Sequence, residues 1–148
     1  MKISKDNNPK KKSPYGAEIL CIGSELLLGN IVNTNARWLA EQLAILGIPH
    51  FRQTVIGDNP VRLKEAIIEA SNRCRVLITT GGLGPTPDDI TTEIIAEAFN
   101  TPLEQRDEVL IELRRKSRKD NCKLSESQKK QSLVPHGSKI IHNYAGTA

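Results

Sequence analysis

The stretch RVLITTGGLGPTPDDIT, Arg75 to Thr91, runs from a β-branched segment through a glycine-rich turn to the start of an amphipathic one. Strand, loop and helix in that order make one unit of an open α/β sheet, and such sheets hold ligands at the carboxyl ends of their strands. Gly81, Gly82 and Gly84, with Leu83 between them, would let backbone N–H groups reach a ligand that side chains would block. A helix expected to begin near Asp88 would add free N–H donors. On this reading Gly82→Val weakens ligand binding and leaves the fold largely intact. The loop is not GxxxxGKS/T, for it has no lysine, and not GxGxxG, because Pro85, Thr86 and Pro87 follow Gly84. Its distinguishing mark is the pair Asp88-Asp89. One aspartate suffices to cap the helix, so the other is expected to project into the glycine crevice and hold a divalent cation or accept ligand N–H groups.

Outward from this loop the chain alternates. Ala17–Ile22 is an apolar strand, and Asn33–Leu46 is a helix with Asn33 or Thr34 as cap, Leu39, Leu43 and Leu46 on one face, and Gly47 as its stop. A second strand spans Ile48–Ile56. Asp58 is expected to cap a second helix that has Pro60 in its first turn and Leu63, Ala66, Ile67 and Ala70 facing inward. After the third strand, Val76–Thr80, a third helix carries Ile90, Ile94, Ile95, Ala98 and Phe99. This order predicts a three-layer, doubly wound, mainly parallel sheet with helices on both faces. Beyond Pro102 a helix is expected over Glu104–Lys119, acidic in its first half and basic in its last, then a short helix near Ser125–Leu133 and a strand over Lys139–His142.

Charge is unevenly placed. The first sixteen residues hold five lysines and one aspartate, whereas from Ala17 onward sixteen basic residues balance sixteen acidic ones, so the net charge of +4 belongs to the leader. Residues 1–16 read as a disordered basic leader and residues 17–148 as one domain. The leader has no apolar core of a secretory signal, no segment is apolar enough to span a membrane, and the aromatic residues are too scattered for a base-stacking platform. Specific nucleic-acid binding and membrane insertion are therefore not expected. Cys21, Cys74 and Cys122 are odd in number and far apart, which suits a reducing cytoplasm, with Cys21 a core residue. His50, His136 and His142 show no metal-ligand spacing. Residues 114–130 hold eight basic residues, a solvated face or a collar for an anionic ligand.

GGLGPTPDDIT resembles the signature of the molybdopterin-binding domain, and GSELLLGNIVNTNARWLAEQL (Gly23 to Leu43) with VIGDN (Val55 to Asn59) resembles its CinA branch, the competence/damage-inducible proteins. The resemblance runs from about Ala17 to the last residue. It implies a nucleotide or molybdopterin-type ligand at the glycine loop, functional roles for Asp89 and Asp58, and metal-dependent hydrolysis of ADP-ribose to AMP and ribose 5-phosphate. The family usually continues through GTAPG into a further loop and strand, so the domain is expected to be incomplete after Asn143-Tyr144-Ala145-Gly146-Thr147-Ala148. The nicotinamide mononucleotide deamidase domain that many CinA proteins carry is likewise not expected here.

Other polar residues are expected at the same sheet edge. Gly23, Ser24 and Glu25 follow strand one, and Glu25 should approach Asp88 and Asp89 if strands one and three are neighbours. Asp89, Asp58 and Glu25 are then the candidate catalytic residues, and Asp89, Asp88 and Glu25 the candidate ligands of a divalent ion that lowers the pKa of an attacking water. Asn33 and Asn35 divide between cap and ligand donor, and the hydroxyls of Thr86 and Thr91 could serve phosphate oxygens. Alternatives are a pterin-binding protein of molybdenum cofactor synthesis and a non-catalytic nucleotide-binding or interaction domain. A homo-oligomer is the expected assembly.

Overall fold

The computed structural model describes residues 16–119, 124–143 and 146. Residues 1–15 and Cys122 lie outside them, and with them most of the expected leader. Gly16 belongs to the domain instead. It is buried, and its carbonyl accepts from the N–H groups of Arg75 and Val76 at 3.0 and 3.3 Å.

Three parallel strands form the main sheet: β1 (Ala17–Ile22) lies between β2 (His50–Ile56) and β3 (Val76–Thr80). Ile22 pairs with Ile56, and Cys21 with both Val55 and Thr80. Every β1 side chain is buried, as expected of a central parallel strand covered on both faces. Ala17, Ile19 and Cys21 pack against Ala36 and Leu43 of α2 (Thr34–Ile45). Leu20 and Ile22 point the other way, onto Leu63 and Ile67 of α3 (Pro60–Arg73) and Ile94 of α4 (Thr91–Ala98). The three-layer α/β sheet is thus the observed architecture. A one-turn helix, α1 (Ser24–Leu27), leaves the end of β1.

The cap of α2 is Asn33, whose side-chain oxygen accepts from the Ala36 N–H at 3.1 Å; Gly47, at φ 66°, ends the helix. Leu39 and Leu43 face the sheet, but Leu46 does not: it follows the last helical turn and is exposed. The cap of α3 is Asn59 rather than Asp58, with Asn59 Oδ1 accepting from Arg62 N–H at 3.1 Å and Pro60 beginning the helix. Asn59→Ala is expected to cost about 1 kcal/mol in urea unfolding by removing this cap. Asn59→Asp should stay within a few tenths of the parent, since either side chain offers the acceptor.

The second half departs from expectation. Leu103–Gln105 is a strand, β4, pairing antiparallel with β5 (Leu133–Pro135), and the following helix, α5, covers Asp107–Lys119. Glu104 therefore opens no helix; its carboxylate pairs with His136 Nδ1 at 2.6 Å. The acids that favour the start of α5 are Asp107 and Glu108. Ser125 begins α6 (Glu126–Lys129) with a reciprocal cap to Gln128, and a 3-10 turn, Lys130–Ser132, leads into β5. Lys139–His142 is not a strand. The chain turns at Gly137, φ 77°, and Ile141 is left exposed.

Candidate functional site

Three loops meet at the carboxyl ends of the parallel strands. Gly23 N–H donates to the Ile56 carbonyl at 2.9 Å, joining the ends of β1 and β2. Asp58, freed from capping, accepts from Ser24 N–H at 2.9 Å, while its own N–H donates to Ser24 Oγ at 3.2 Å. This reciprocal tie fixes the Gly23-Ser24-Glu25 turn against the β2–α3 loop. Asn35 extends the link to the third strand, donating from Nδ2 to Thr80 Oγ1 at 3.2 Å. Asn33 Oδ1 is spent on the α2 cap, and its Nδ2 is buried without an acceptor among the described residues.

The glycine loop closes on itself. A Cβ on Gly81 (φ 98°) would lie 1.9 Å from the Ile22 carbonyl oxygen, and one on Gly82 (φ 62°) 2.3 Å from Thr91 Oγ1. At Gly84 it would meet Asp89 Oδ2 at 2.4 Å. Gly81 and Gly82, both at positive φ, are therefore demanded by the protein's own atoms, whereas at Gly84 the obstacle is a carboxylate end that can turn aside. Gly82→Val would strain the fold as well as the site. Thr91 is fully buried; its hydroxyl donates to the Gly81 carbonyl at 2.8 Å and its N–H to the Gly82 carbonyl at 3.1 Å. That hydroxyl cannot serve a phosphate, and the Thr86 hydroxyl is held by Asp89 at 2.5 Å.

Neither aspartate caps α4, which begins at Thr91 after Ile90 with no side-chain cap. Asp88 is exposed. Asp89 folds back into the loop and accepts from Thr86 N–H at 2.9 Å, while Asp89 N–H donates to the Thr86 carbonyl at 3.1 Å. Burial opposes its charge, but donation from Thr86 and Gly84, with Lys130 nearby, outweighs this and holds the carboxyl below its usual value. The linked stability is fully present above the ordinary carboxyl value of 3.8 and is lost as pH falls through the lower folded value. Asp89→Asn is expected to cost about 1 kcal/mol at neutral pH and to flatten the acid limb of the stability curve in urea titrations.

The expected acidic cluster does not assemble. Glu25 is exposed and curls over Gly23, where a Cβ would sit 2.4 Å from its Oε1. Asp58 is tied to Ser24 and Asp89 to Thr86, and among the described residues no three Asp, Glu, His or Cys side chains gather as a metal-holding group. Glu25, Asp88 and Asp89 therefore do not fit a divalent ion held by the protein alone. The reason is local: Asp58 and Asp89 are taken up by the N–H groups of Ser24 and Thr86, while Glu25 and Asp88 are exposed and stand apart. Of the basic collar, Arg115 pairs with Glu112, Lys129 with Glu126, and Lys116 Nζ donates to the Asn143 carbonyl at 2.7 Å. Among the described residues of the collar, Lys130 alone reaches the loop, donating to the Asp89 carbonyl at 2.6 Å and pairing with Glu93 at 3.0 Å. Gln131 donates to the Leu83 carbonyl at 3.0 Å. Sequence reasoning took Lys130 only as a member of the basic collar and passed over Gln131 and Thr80, since only the return of the chain through α6 and the first strand-to-helix crossing bring them here.

A parallel α/β sheet whose strand ends carry a rigid glycine loop defines a class of small-ligand-binding domain. Residues 18–146 match the family described as probable molybdopterin binding domain, and the chain belongs to that family. It is 74% identical over its whole length to a CinA-like protein of Prochlorococcus marinus strain NATL1A, of which it spans 34%. Among solved structures it is similar to the CinA protein, of unknown function, from Thermoplasma acidophilum, with TM-score 0.82, 29% identity, and coverage of 90% of this chain and 78% of that one. It is also similar to the molybdopterin biosynthesis enzyme MoaB from Thermus thermophilus, with TM-score 0.51, 25% identity, and coverage of 56% and 54%. The chain thus spans about a third of the length of the curated relatives it matches.

Among the described residues no helix is long and apolar enough to cross a membrane.

Proposed function

We propose that the glycine loop binds the pyrophosphate of ADP-ribose and that the reaction is its hydrolysis to AMP and ribose 5-phosphate. The observation that supports this most is the loop's closure: Thr91 and Asp89 hold Gly81–Gly84 in place from within, so the backbone donors are organised before a ligand arrives. The α4 first turn, free of a side-chain cap, favours a phosphate at the same edge. Asn33 Nδ2, buried and unpaired, is a further donor for which a ligand oxygen would relieve a penalty of about 1–3 kcal/mol.

Asp58 and Asp89 act as positioning groups in this reading, because both are committed to backbone N–H donors. Glu25 and Asp88 are the exposed carboxylates left, and we assign to Glu25, at the end of β1, the proton taken from water as the water oxygen bonds to phosphorus and the bridging P–O bond breaks. A divalent ion would enter with the pyrophosphate rather than as a resident of the protein.

A molybdopterin-type ligand is the second reading, favoured by the family match over residues 18–146. Calorimetry with ADP-ribose and with molybdopterin, followed by an AMP-release assay with and without added Mg²⁺, decides among the readings. Tighter binding of ADP-ribose with AMP release supports the hydrolase, and Glu25→Gln should then abolish release while binding persists. Preferential pterin binding selects the second reading. ADP-ribose binding without turnover at any metal concentration makes this a non-catalytic binding domain.

A further inference from the structure

We propose that Lys130 and Gln131 are positioning residues that clamp the ligand-binding glycine loop from behind and set its shape. The two neighbours sit on one 3-10 turn and reach opposite ends of the loop: Gln131 donates to the Leu83 carbonyl at 3.0 Å, and Lys130 to the Asp89 carbonyl at 2.6 Å. Both targets are carbonyl oxygens, so the clamp itself occupies none of the loop's N–H donors. The turn itself is anchored, since Ser132 is fully buried, its hydroxyl donates to the Lys129 carbonyl at 2.7 Å, and its carbonyl accepts from Arg106 N–H at 2.9 Å. Glu93, on α4, fixes the lysine from the other side at 3.0 Å. The loop is thereby joined to a part of the chain more than forty residues away.

The space between clamp and loop identifies the role. Gly82, Gly84, Asp89, Glu93, Lys130 and Gln131 share a void of only about 20 Å³, room for a single water and for no nucleotide or pterin. No nucleotide or pterin fits between clamp and loop, so there the two residues act on a ligand through the backbone they hold, although Gln131 and Leu83 also border a separate cavity of about 310 Å³. This makes them positioning residues for the loop. This inference rests on the reading of the glycine loop as the ligand site, although its structural half can be measured without any ligand.

The test uses the full chain with Lys130→Met, Gln131→Glu, Lys130→Arg and, as a control, Lys129→Met. Glutamate matches glutamine in shape but cannot donate to the Leu83 carbonyl. The Lys129 control removes the same charge from a lysine that, among the described residues, pairs with Glu126 alone. Hydrogen exchange should show the amides of residues 83–91 exchanging about tenfold faster in Lys130→Met and in Gln131→Glu, the weight of about one hydrogen bond, while β1 amides keep the parent's protection. ADP-ribose affinity should fall by a similar factor of about ten, Lys130→Arg should recover most of it, and Lys129→Met should change neither measurement. Loop amides at the parent rate in both clamp variants would overturn the proposal. So would an equal effect of Lys129→Met. If the parent binds no ADP-ribose, the functional reading fails and the exchange measurement alone decides the clamp.

Discussion

Gly81→Ala is expected to lower the unfolding free energy by about 3 kcal/mol or more, from disallowed backbone geometry and overpacking together. Residue 81 has φ 98°, and a Cβ there would lie 1.9 Å from the Ile22 carbonyl oxygen and 3.0 Å from its carbonyl carbon. That obstacle is main chain of the central strand, which has no rotamer to change. Gly137 separates the two contributions, for it has φ 77° and open space around its Cβ position. Gly137→Ala should therefore cost only the conformational part, about 1–2 kcal/mol. Urea unfolding of the two variants measures the difference. Equal losses would mean that the β1 and β3 ends separate easily and that the glycine loop is not held rigidly against the sheet.

The sequence made the first half of the fold legible because its signals are local and repeated. The unbroken apolar run Ala17–Ile22, the caps near Asn33 and Pro60 and the β-branched run Val76–Thr80 each imply one conformation, and the parallel order follows from their alternation. The second half has no such redundancy. β4 and β5 are three residues each, too short to show a period of two, and they exist because each supplies the other's backbone partners. Lys139–His142 has the better strand composition and, among the described residues, no strand to pair with. At the site, the loop was found from its glycines and the neighbouring turns from their positions after strands. What could not be read was where the carboxylates point. Asp58 and Asn59 are adjacent acceptors at a helix start, and the choice of Asn59 as cap is made by Ser24, thirty-four residues earlier, which takes Asp58. Asp89 likewise turns inward because Thr86 offers it two donors.

Arg73→Met should destabilise the domain by about 2–4 kcal/mol, although the guanidinium is a surface group by position. Its partner Glu18 stands on the central strand, on the face that carries Leu20 and Ile22, and its side chain is only 10% exposed. Arg73 Nε and one terminal nitrogen bind the two carboxylate oxygens at 3.0 and 2.9 Å, and these hydrogen bonds raise the arginine's pKa against the lowering effect of its burial. Removing one member of a buried pair typically costs about 3–5 kcal/mol; because the Arg73 side chain is 36% exposed, water would partly compensate the stranded carboxylate and the lower range applies. The pair is worth less than its breakage suggests. Glu18→Leu combined with Arg73→Met replaces it with apolar side chains of similar size and should return stability to within about 1 kcal/mol of the parent. A double-mutant cycle in urea tests this. Additive losses in the double variant would show that Arg73 and Glu18 stabilise the domain separately, through packing on α3 and β1, and that the ion pair adds nothing of its own.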